Sequence, residues 1–196
     1  MQLCAITDRK QTSQSLLSLV EGWSKGGVDF IQLREKDLDA AALASLAQQL
    51  TPLVDHSRSK LLLNVPAPNW ATMARAAGAD GVHLAGKLEK GAVSTIRGEF
   101  PGAIVSVPCH TLNEVDLAVG QGVNLILFSP IFEKASCQVQ GLDGLSRACV
   151  RARDIPVLAL GGVTAANAGA CVAAGASGIA AIRLFLGDDW RGKLCL

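Results

Sequence analysis

The segment AAGADGVHL, residues 76–84, passes from an alanine-rich stretch through a glycine into a short apolar run that contains a histidine. Three other segments repeat this order: KGGVDFIQL (25–33), GQGVNLILF (120–128) and AAGASGIAA (173–181). In each segment a glycine stands where a helix often ends with a left-handed residue. These glycines are Gly27, Gly78, Gly122 and Gly175. The pattern therefore predicts helices that end at a glycine and lead directly into buried strands.

Short, nearly continuous apolar runs recur along the chain, as expected of parallel strands that are buried on both faces. The eight runs are LCAIT (3–7), DFIQLR (29–34), KLLLNV (60–65), DGVHL (80–84), AIVSVP (103–108), NLILFS (124–129), IPVLAL (155–160) and GIAAIR (178–183). Segments with helical spacing of apolar residues separate them, for example 38–56 and 164–175. This alternation predicts an α/β fold, either an open doubly wound sheet or a closed (β/α)₈ barrel.

The number of strands favours a single (β/α)₈ TIM barrel over the open sheet. A dinucleotide-binding open sheet would carry G-x-G-x-x-G after its first strand, and the segment AITDRKQTS (5–13) has no glycine. The 196 residues are close to the minimum for such a barrel. We therefore expect one domain that spans residues 1–196.

Composition narrows the choice of partners. A net charge of +1, with Lys and Arg scattered through the chain, predicts no binding to nucleic acid or to a membrane surface, so a small molecule is expected. The N-terminal segment lacks the features of a secretory signal, and the expected location is the cytoplasm. The cysteines show no C-x-x-C spacing and predict free thiols rather than a zinc site or disulfides. They are Cys4, Cys109, Cys137, Cys149, Cys171 and Cys195.

In a barrel of this type, functional groups follow the carboxyl ends of the strands. Because strand side chains alternate, Gln32, Arg34 and Lys36 share one face of the second strand. Two cations at this spacing lie about 7 Å apart and favour an anion between them. That anion is either a phosphate or carboxylate of a ligand, or an ion-pair partner within the chain, Asp8 or Glu35.

A glycine pair, Gly161 and Gly162, follows the seventh strand and precedes Thr164, which we expect to cap the next helix. Paired glycines let backbone N–H groups approach an anion at a helix start, although a plain tight turn explains them as well. Arg183 ends the last strand. It favours phosphate binding, because the loops after strands seven and eight commonly form the phosphate site of this fold.

Three further polar residues, Asn64, His83 and His110, are candidates for the site. Asn64 either orients a ligand or caps the segment that follows it. His83 is either a core histidine or a site residue, and His56, in a polar segment, is expected to be solvated. His110 follows the fifth strand, where an imidazole is suited to proton transfer. The alternative for His110 is to cap the next helix or to pack beneath it.

Seven motifs carry a resemblance to a known family. They are AITD (5–8), IQLREKD (31–37), GADGVHL (78–84), HT (110–111), SPIF (129–132), VLALGGV (157–163) and GASGIAAI (175–182). In this order, over nearly the whole chain, they resemble the thiamine phosphate synthase and TenI family of small (β/α)₈ barrels. The resemblance implies an enzyme of thiamine biosynthesis that acts on a small phosphorylated thiazole.

The chain also departs from the synthases that it resembles. Those enzymes join an aminomethylpyrimidine diphosphate to a thiazole phosphate and bind Mg²⁺ through two aspartates, whose positions are here Val65 and Leu88. Pro108 stands in place of a serine and Cys137 in place of a lysine. Because all four departures concern the diphosphate, we expect that this chain does not catalyse the coupling reaction.

The TenI branch of the family includes a thiazole tautomerase, and we expect this activity here. The resemblance makes His110 the catalytic residue, which would move a proton on carboxythiazole phosphate without a metal or another cofactor. The expected substrate-binding residues are Gln32, Arg34, Lys36, Asn64, His83, Gly161, Gly162 and Arg183.

Two alternatives and one assembly question stay open. The first alternative is a thiamine phosphate synthase that uses Mg²⁺, with Glu89 or Asp143 replacing the missing aspartates. The second is a regulator that binds a phosphorylated ligand without catalysis. Helices rich in alanine and leucine are also compatible with a homodimer.

Overall fold

The computed structural model describes residues 1–132, 139–187 and 189–194. Eight strands form a closed barrel in which neighbouring strands are parallel and follow one another in chain order. They are β1 (Gln2–Ile6), β2 (Phe30–Leu33), β3 (Lys60–Val65), β4 (Gly81–Leu84), β5 (Ile104–Cys109), β6 (Leu125–Phe128), β7 (Val157–Ala159) and β8 (Gly178–Ala181). The predicted (β/α)₈ barrel is confirmed.

Helices connect the strands on the outside of the barrel. They are α1 (Leu16–Gly26), α2 (Ala40–Leu50), α3 (Ala71–Ala76), α4 (Ala92–Glu99), α5 (Leu112–Gln121), α6 (Gly141–Ala152), α7 (Ala165–Ala173) and α8 (Trp190–Lys193). Short 3₁₀ helices span Arg9–Gln11, Thr51–Leu53 and Pro68–Trp70. The four glycines predicted to end helices are left-handed, as expected, with φ angles of 87°, 77°, 70° and 103° for Gly27, Gly78, Gly122 and Gly175.

Some predicted boundaries differ from the structure. The second and eighth runs were expected to continue to Arg34 and Arg183, but β2 and β8 stop short of both residues. The long helix expected over residues 38–56 ends at Leu50 and continues as a 3₁₀ turn. This turn contains Pro52, which has no N–H to donate within an α-helix.

The apolar side chains form two layers, which explains why the strands are almost continuously hydrophobic. Inside the barrel, the buried residues are Cys4, Ile6, Leu62, Leu125, Leu127, Leu158 and Ala180. A larger layer fills the space between the barrel and the helices, and includes Leu61 and Leu63, which flank the inward Leu62. The polar candidate residues lie towards or beyond the carboxyl ends of the strands, at the barrel mouth.

His56 is not simply solvated, which corrects the expectation from the sequence. Its Nδ1 lies 2.7 Å from a carboxylate oxygen of Asp80 and its Nε2 lies 3.1 Å from the carbonyl oxygen of Thr51. The side chain is half-buried. These contacts tie the segment before β3 to the start of β4, at the amino end of the strands, opposite the barrel mouth.

In the described part of the chain, no helix is both long enough and apolar enough to cross a membrane. Cys4, Cys109, Cys149 and Cys171 are free thiols, as predicted. Cys137 and Cys195 lie outside the described residues.

Candidate active site

The barrel brings the carboxyl ends of its strands to one rim, and the predicted site residues lie there. Gln32, Asn64 and His83 belong to β2, β3 and β4. The remaining candidates follow directly after strands: Arg34, Lys36, His110, Gly161, Gly162 and Arg183. Because all of the strands are parallel, residues from six of them meet at the mouth.

The charges next to Arg34 and Lys36 are neutralised by the loop after β1. Arg9 contacts both Glu35, at 2.9 Å, and Asp37, at 2.8 Å. Lys10 also contacts Asp37, at 3.1 Å, and its hydrogen bond is the main reason that the pKa of Asp37 lies below its usual value.

Arg34 and Lys36 themselves form no ion pair within residues 1–132, 139–187 and 189–194. The alternative in which Asp8 or Glu35 neutralises them is therefore wrong. The Asp8 carboxylate instead accepts hydrogen bonds from the backbone N–H of Lys10 and from the Gln11 amide. Arg34 is half-buried and Lys36 is exposed, so both cations keep their charge available to a ligand.

Two polar side chains lie buried just below the mouth. Gln32 is 2% exposed, and its Oε1 has no hydrogen-bond partner in the described structure. His83 is 5% exposed, and its Nδ1 lies 2.9 Å from the hydroxyl of Ser106. Burial, followed by the charge of Arg34, lowers the pKa of His83 to about 3. The His83 ring is therefore neutral at physiological pH and serves as a hydrogen-bonding group rather than as a cation.

Asn64 is half-buried on β3, next to His83 in the strand register. The alternative that it caps the following segment is not supported, because Ala67 occupies the N-cap of the 3₁₀ helix Pro68–Trp70. No hydrogen bond of the Asn64 side chain is found among the described residues, so its amide keeps both a donor and an acceptor for a ligand.

His110 is exposed and is held from the side of its Nδ1 atom. Nδ1 lies 2.8 Å from the backbone carbonyl of Ser129 and 3.2 Å from the Ser129 hydroxyl. Both alternatives for His110 are wrong, since Thr111 is the N-cap of α5 and the exposed ring does not pack beneath that helix. Its backbone N–H instead donates to the carboxylate of Glu114.

Gly161 and Gly162 are both left-handed, with φ of 93° and 68°. A Cβ on Gly161 would lie 2.8 Å from Cα of Pro130, and one on Gly162 would lie 2.8 Å from Cβ of Phe132. The loop after β6 packs so closely on this turn that larger residues do not fit. Thr164 caps α7, as predicted.

The same turn offers donors to a ligand. Within the described residues, neither Gly161 nor Gly162 donates its backbone N–H to another backbone group. Arg183, in the turn after β8, is exposed and takes part in no described ion pair. The turns after β7 and β8 therefore combine unused N–H groups with an unused cation.

The described residues do not fit a protein-bound Mg²⁺. Val65 is fully buried and Leu88 is 5% exposed, and neither side chain has an oxygen atom. Asp143 forms an ion pair with Arg147 on its own helix. In the described part of the chain, no three His, Cys, Asp or Glu side chains come together as a metal site. Cys137, which the resemblance places at a lysine position, lies outside the described residues.

Sequence reasoning missed several partners at this rim. It did not identify Ser106 as the partner of His83, or Arg9 as the partner of Glu35 and Asp37. The sequence does contain one signal, the alternation of charge in Arg-Glu-Lys-Asp (34–37). Such alternation indicates that residues elsewhere in the chain determine which of the four charges stay without an ion-pair partner.

The fold and the rim define a class: a (β/α)₈ protein whose mouth carries glycine N–H groups and cations without ion-pair partners in the described structure, which suit phosphorylated small molecules. The sequence profile of the family described as thiamine monophosphate synthase matches residues 3–185. The chain belongs to this family.

Individual relatives agree with the family match. A putative thiamine-phosphate synthase of Geobacter sulfurreducens is 39% identical and covers 95% of this chain and 87% of the relative. A thiamine-phosphate synthase of Roseiflexus castenholzii is 34% identical, and the match covers 93% of this chain and 79% of the relative. The solved structure of a thiamine phosphate pyrophosphorylase from Pyrococcus furiosus superposes with a TM-score of 0.82 at 25% identity. The match covers 99% of this chain and 93% of that structure's chain.

These comparisons correct the expected activity. The expectation of a thiazole tautomerase is wrong, because the relatives are named as synthases and the solved structure as a pyrophosphorylase. The departures at Val65, Leu88, Pro108 and Cys137 therefore do not exclude a synthase. The findings favour the alternative reading, a synthase.

Proposed function

We propose that this protein is a thiamine phosphate synthase, which joins an aminomethylpyrimidine diphosphate to a thiazole phosphate and releases pyrophosphate. The observation that carries the proposal is the match to a protein named putative thiamine-phosphate synthase over 95% of the chain and to one named thiamine-phosphate synthase over 93% of it. In this reaction the C–O bond between the methylene carbon attached to the pyrimidine and the diphosphate breaks, pyrophosphate leaves with the electron pair, and the thiazole nitrogen forms the new bond to that carbon. The site must therefore bind two phosphorylated molecules and stabilise a strongly anionic leaving group.

Arg34 and Lys36 are proposed to bind the diphosphate. Their support is that no described carboxylate neutralises either cation, although two carboxylates stand beside them in the sequence. Cations fixed near the departing oxygen stabilise the charge that develops there as the bond breaks.

The turn at Gly161 and Gly162, together with Arg183, is proposed to bind the phosphate of the thiazole. Unused N–H groups at the start of α7 favour an anion, because the positive end of a helix dipole lies at its N-terminus. This is also the usual phosphate position in barrels of this type.

Uncharged groups on β2, β3 and β4 are proposed to orient the rings. Gln32 and Asn64 offer amides, and His83 offers a neutral imidazole. His110 is proposed to contact the substrates through Nε2, since Nδ1 is occupied by Ser129.

The proposal is tested by incubating the protein with both substrates, with and without added Mg²⁺. We expect pyrophosphate and thiamine phosphate in equal amounts, and neither product when one substrate is omitted. Arg34→Gln should lower kcat/KM roughly 100-fold, in line with the loss of one transition-state charge contact. Lys25→Gln is the matched control, since Lys25 lies on α1 and pairs only with Glu21 among the described residues. Binding of both substrates without pyrophosphate release, in either metal condition, would contradict the proposal and favour a non-catalytic ligand-binding protein.

A further inference from the structure

The stretch Arg34-Glu35-Lys36-Asp37 alternates positive and negative charge and has no net charge of its own. β2 ends at Leu33, so the four side chains are not held on alternate faces of a strand. Without other partners, Glu35 can pair with Arg34 or Lys36, and Asp37 can pair with Lys36. An anionic ligand can bind between Arg34 and Lys36 only if Glu35 and Asp37 are held elsewhere. Some other residue must therefore separate the four charges.

Arg9 makes the contacts that this separation requires. Its Nη1 donates to Glu35 at 2.9 Å and to Asp37 at 3.0 Å, and its Nη2 donates to Asp37 at 2.8 Å. The backbone N–H of Arg9 also lies 3.2 Å and 3.3 Å from the two oxygens of Glu35. One residue thus supplies hydrogen bonds to both carboxylates of the stretch.

Burial makes this arrangement specific. The side chain of Glu35 is 2% exposed, and a buried carboxylate without a partner is strongly unfavourable. With Arg9 removed, the cations available nearby to Glu35 and Asp37 are Lys10, Arg34 and Lys36. Among the described residues, Lys10 is 66% exposed and its ion pair is with Asp37. Without the guanidinium, Glu35 keeps the backbone N–H of residue 9 but no cation, so its charge is compensated only if it turns to the cations of the mouth.

We propose that Arg9 is a positioning residue for the anion site, which binds Glu35 and Asp37 so that Arg34 and Lys36 stay free for the diphosphate. This inference rests on the proposed function, since it assumes that the two cations bind the leaving group. The described contacts of the Arg9 guanidinium are to these two carboxylates, so its proposed effect on the ligand is indirect.

A purely structural role for Arg9 makes a different prediction. Arg9 could simply connect the loops after β1 and β2, and its loss would then distort the rim whatever the charges are. The backbone of these loops is connected independently, since the N–H of Arg34 donates to the Thr7 hydroxyl at 2.9 Å and the N–H of Thr7 donates to the Gln32 carbonyl at 2.9 Å. A variant that lacks Arg9 and also lacks the charges of Glu35 and Asp37 therefore distinguishes the two roles.

The test measures binding of inorganic pyrophosphate by calorimetry, with circular dichroism as a check on folding. Arg9→Gln should weaken binding about tenfold, the effect expected when a charge-assisted contact to the ligand is replaced by an internal one. The triple variant Arg9→Gln, Glu35→Gln, Asp37→Asn should bind within about threefold of wild type, because neither Glu35 nor Asp37 remains to compete for the two cations. Arg58→Gln is the control, an exposed arginine whose described ion pair is with Asp55.

Each outcome bears on the inference. If wild type binds pyrophosphate and Arg9→Gln binds it equally well, the role of Arg9 is overturned and the proposed function stands. A folded triple variant that stays as weak as Arg9→Gln shows a structural connection only, and also overturns it. If Arg9→Gln does not fold, the triple variant alone decides, since it lacks Arg9 and should still bind. Wild-type protein that does not bind pyrophosphate at all overturns both this inference and the anion site of the proposed function.

Discussion

The imidazole of His110 is held against the end of the neighbouring strand, with Nδ1 2.8 Å from the backbone carbonyl oxygen of Ser129. A carbonyl oxygen only accepts hydrogen bonds, so Nδ1 carries the proton and the lone pair of the neutral ring lies on Nε2. This contact connects the ends of β5 and β6 and leaves Nε2 of the ring available at the rim.

Replacing His110 separates a role in the site from a role in stability. His110→Ala should lower kcat/KM for coupling by about 100-fold if Nε2 assists the reaction, with little change in Tm because the ring is exposed. Thr111→Ala is the matched control, since the Thr111 hydroxyl accepts the N–H of Glu114 and caps α5. It should lower the free energy of unfolding by about 1 kcal/mol and leave kcat/KM nearly unchanged. If His110→Ala behaves like Thr111→Ala, with a lower Tm and an unchanged kcat/KM, a role for His110 in the reaction is contradicted.

His83 should make the protein less stable in mild acid. Burial and the charge of Arg34 lower its pKa from 6.5 to about 3, so the unfolded state binds this proton first as the pH falls. Stability is then unaffected above about pH 6.5 and decreases between that value and about pH 3, by up to about 1.4 kcal/mol per pH unit.

The measurement is urea unfolding of wild type and His83→Gln at two pH values. From about pH 7 to about pH 5, the difference in unfolding free energy between the two proteins should change by about 2 kcal/mol, in the direction that disfavours wild type in acid. His56 and the carboxylates are present in both proteins, so their titration cancels. Parallel pH dependence in the two proteins would show that His83 is not buried as a neutral ring.

The barrel was predictable because its signals are local. An apolar run buried on both faces and a left-handed glycine before it can each be recognised within about ten residues of sequence, and the strand order then follows from short right-handed connections. The ends of β2 and β8 were less predictable, because Arg34 and Arg183 look like continuations of their runs.

The partners in the site were not predictable because they come from distant parts of the chain. Arg9 and Glu35 are separated by 26 residues, and His110 and Ser129 by 19. Only the closed register of the strands decides which of several nearby charges or hydroxyls meet. The polar segment around His56 likewise looked solvated, because Asp80 reaches it only through the pairing of β3 with β4.

The glycine pair gives a prediction about packing. Ala at Gly161 or Gly162 should cost about 2 kcal/mol of unfolding free energy, because both positions are left-handed and closely packed against the loop after β6. Gly169→Ala is the control, an exposed position of α7 with no heavy atom within 4 Å of a new Cβ. It should instead stabilise the protein by about 0.5 to 1 kcal/mol. Thermal or urea unfolding measures all three variants, and equal effects would refute the packing argument.

Adding or withholding Mg²⁺ tests whether Val65 and Leu88 leave the protein without a metal site. Titration of Mg²⁺ alone should show no saturable binding, since neither position has an oxygen ligand and both side chains are buried. Pyrophosphate should then bind with similar affinity in Mg²⁺ and in excess EDTA, because the free cations of Arg34 and Lys36 do not depend on the metal.

A substitution at Leu88 makes the same test sharper. Leu88→Asp places a carboxylate after β4, and one carboxylate with substrate phosphates is enough for many Mg²⁺ sites. Pyrophosphate binding by this variant should become several-fold tighter with Mg²⁺ than with EDTA, an effect of about 1 kcal/mol. Leu88→Asn has the same shape without the charge and loses the same buried leucine, so it should show no metal dependence. Saturable Mg²⁺ binding by wild type, or an equal response of the two variants, would mean that other carboxylates, such as that of Glu89, hold the metal.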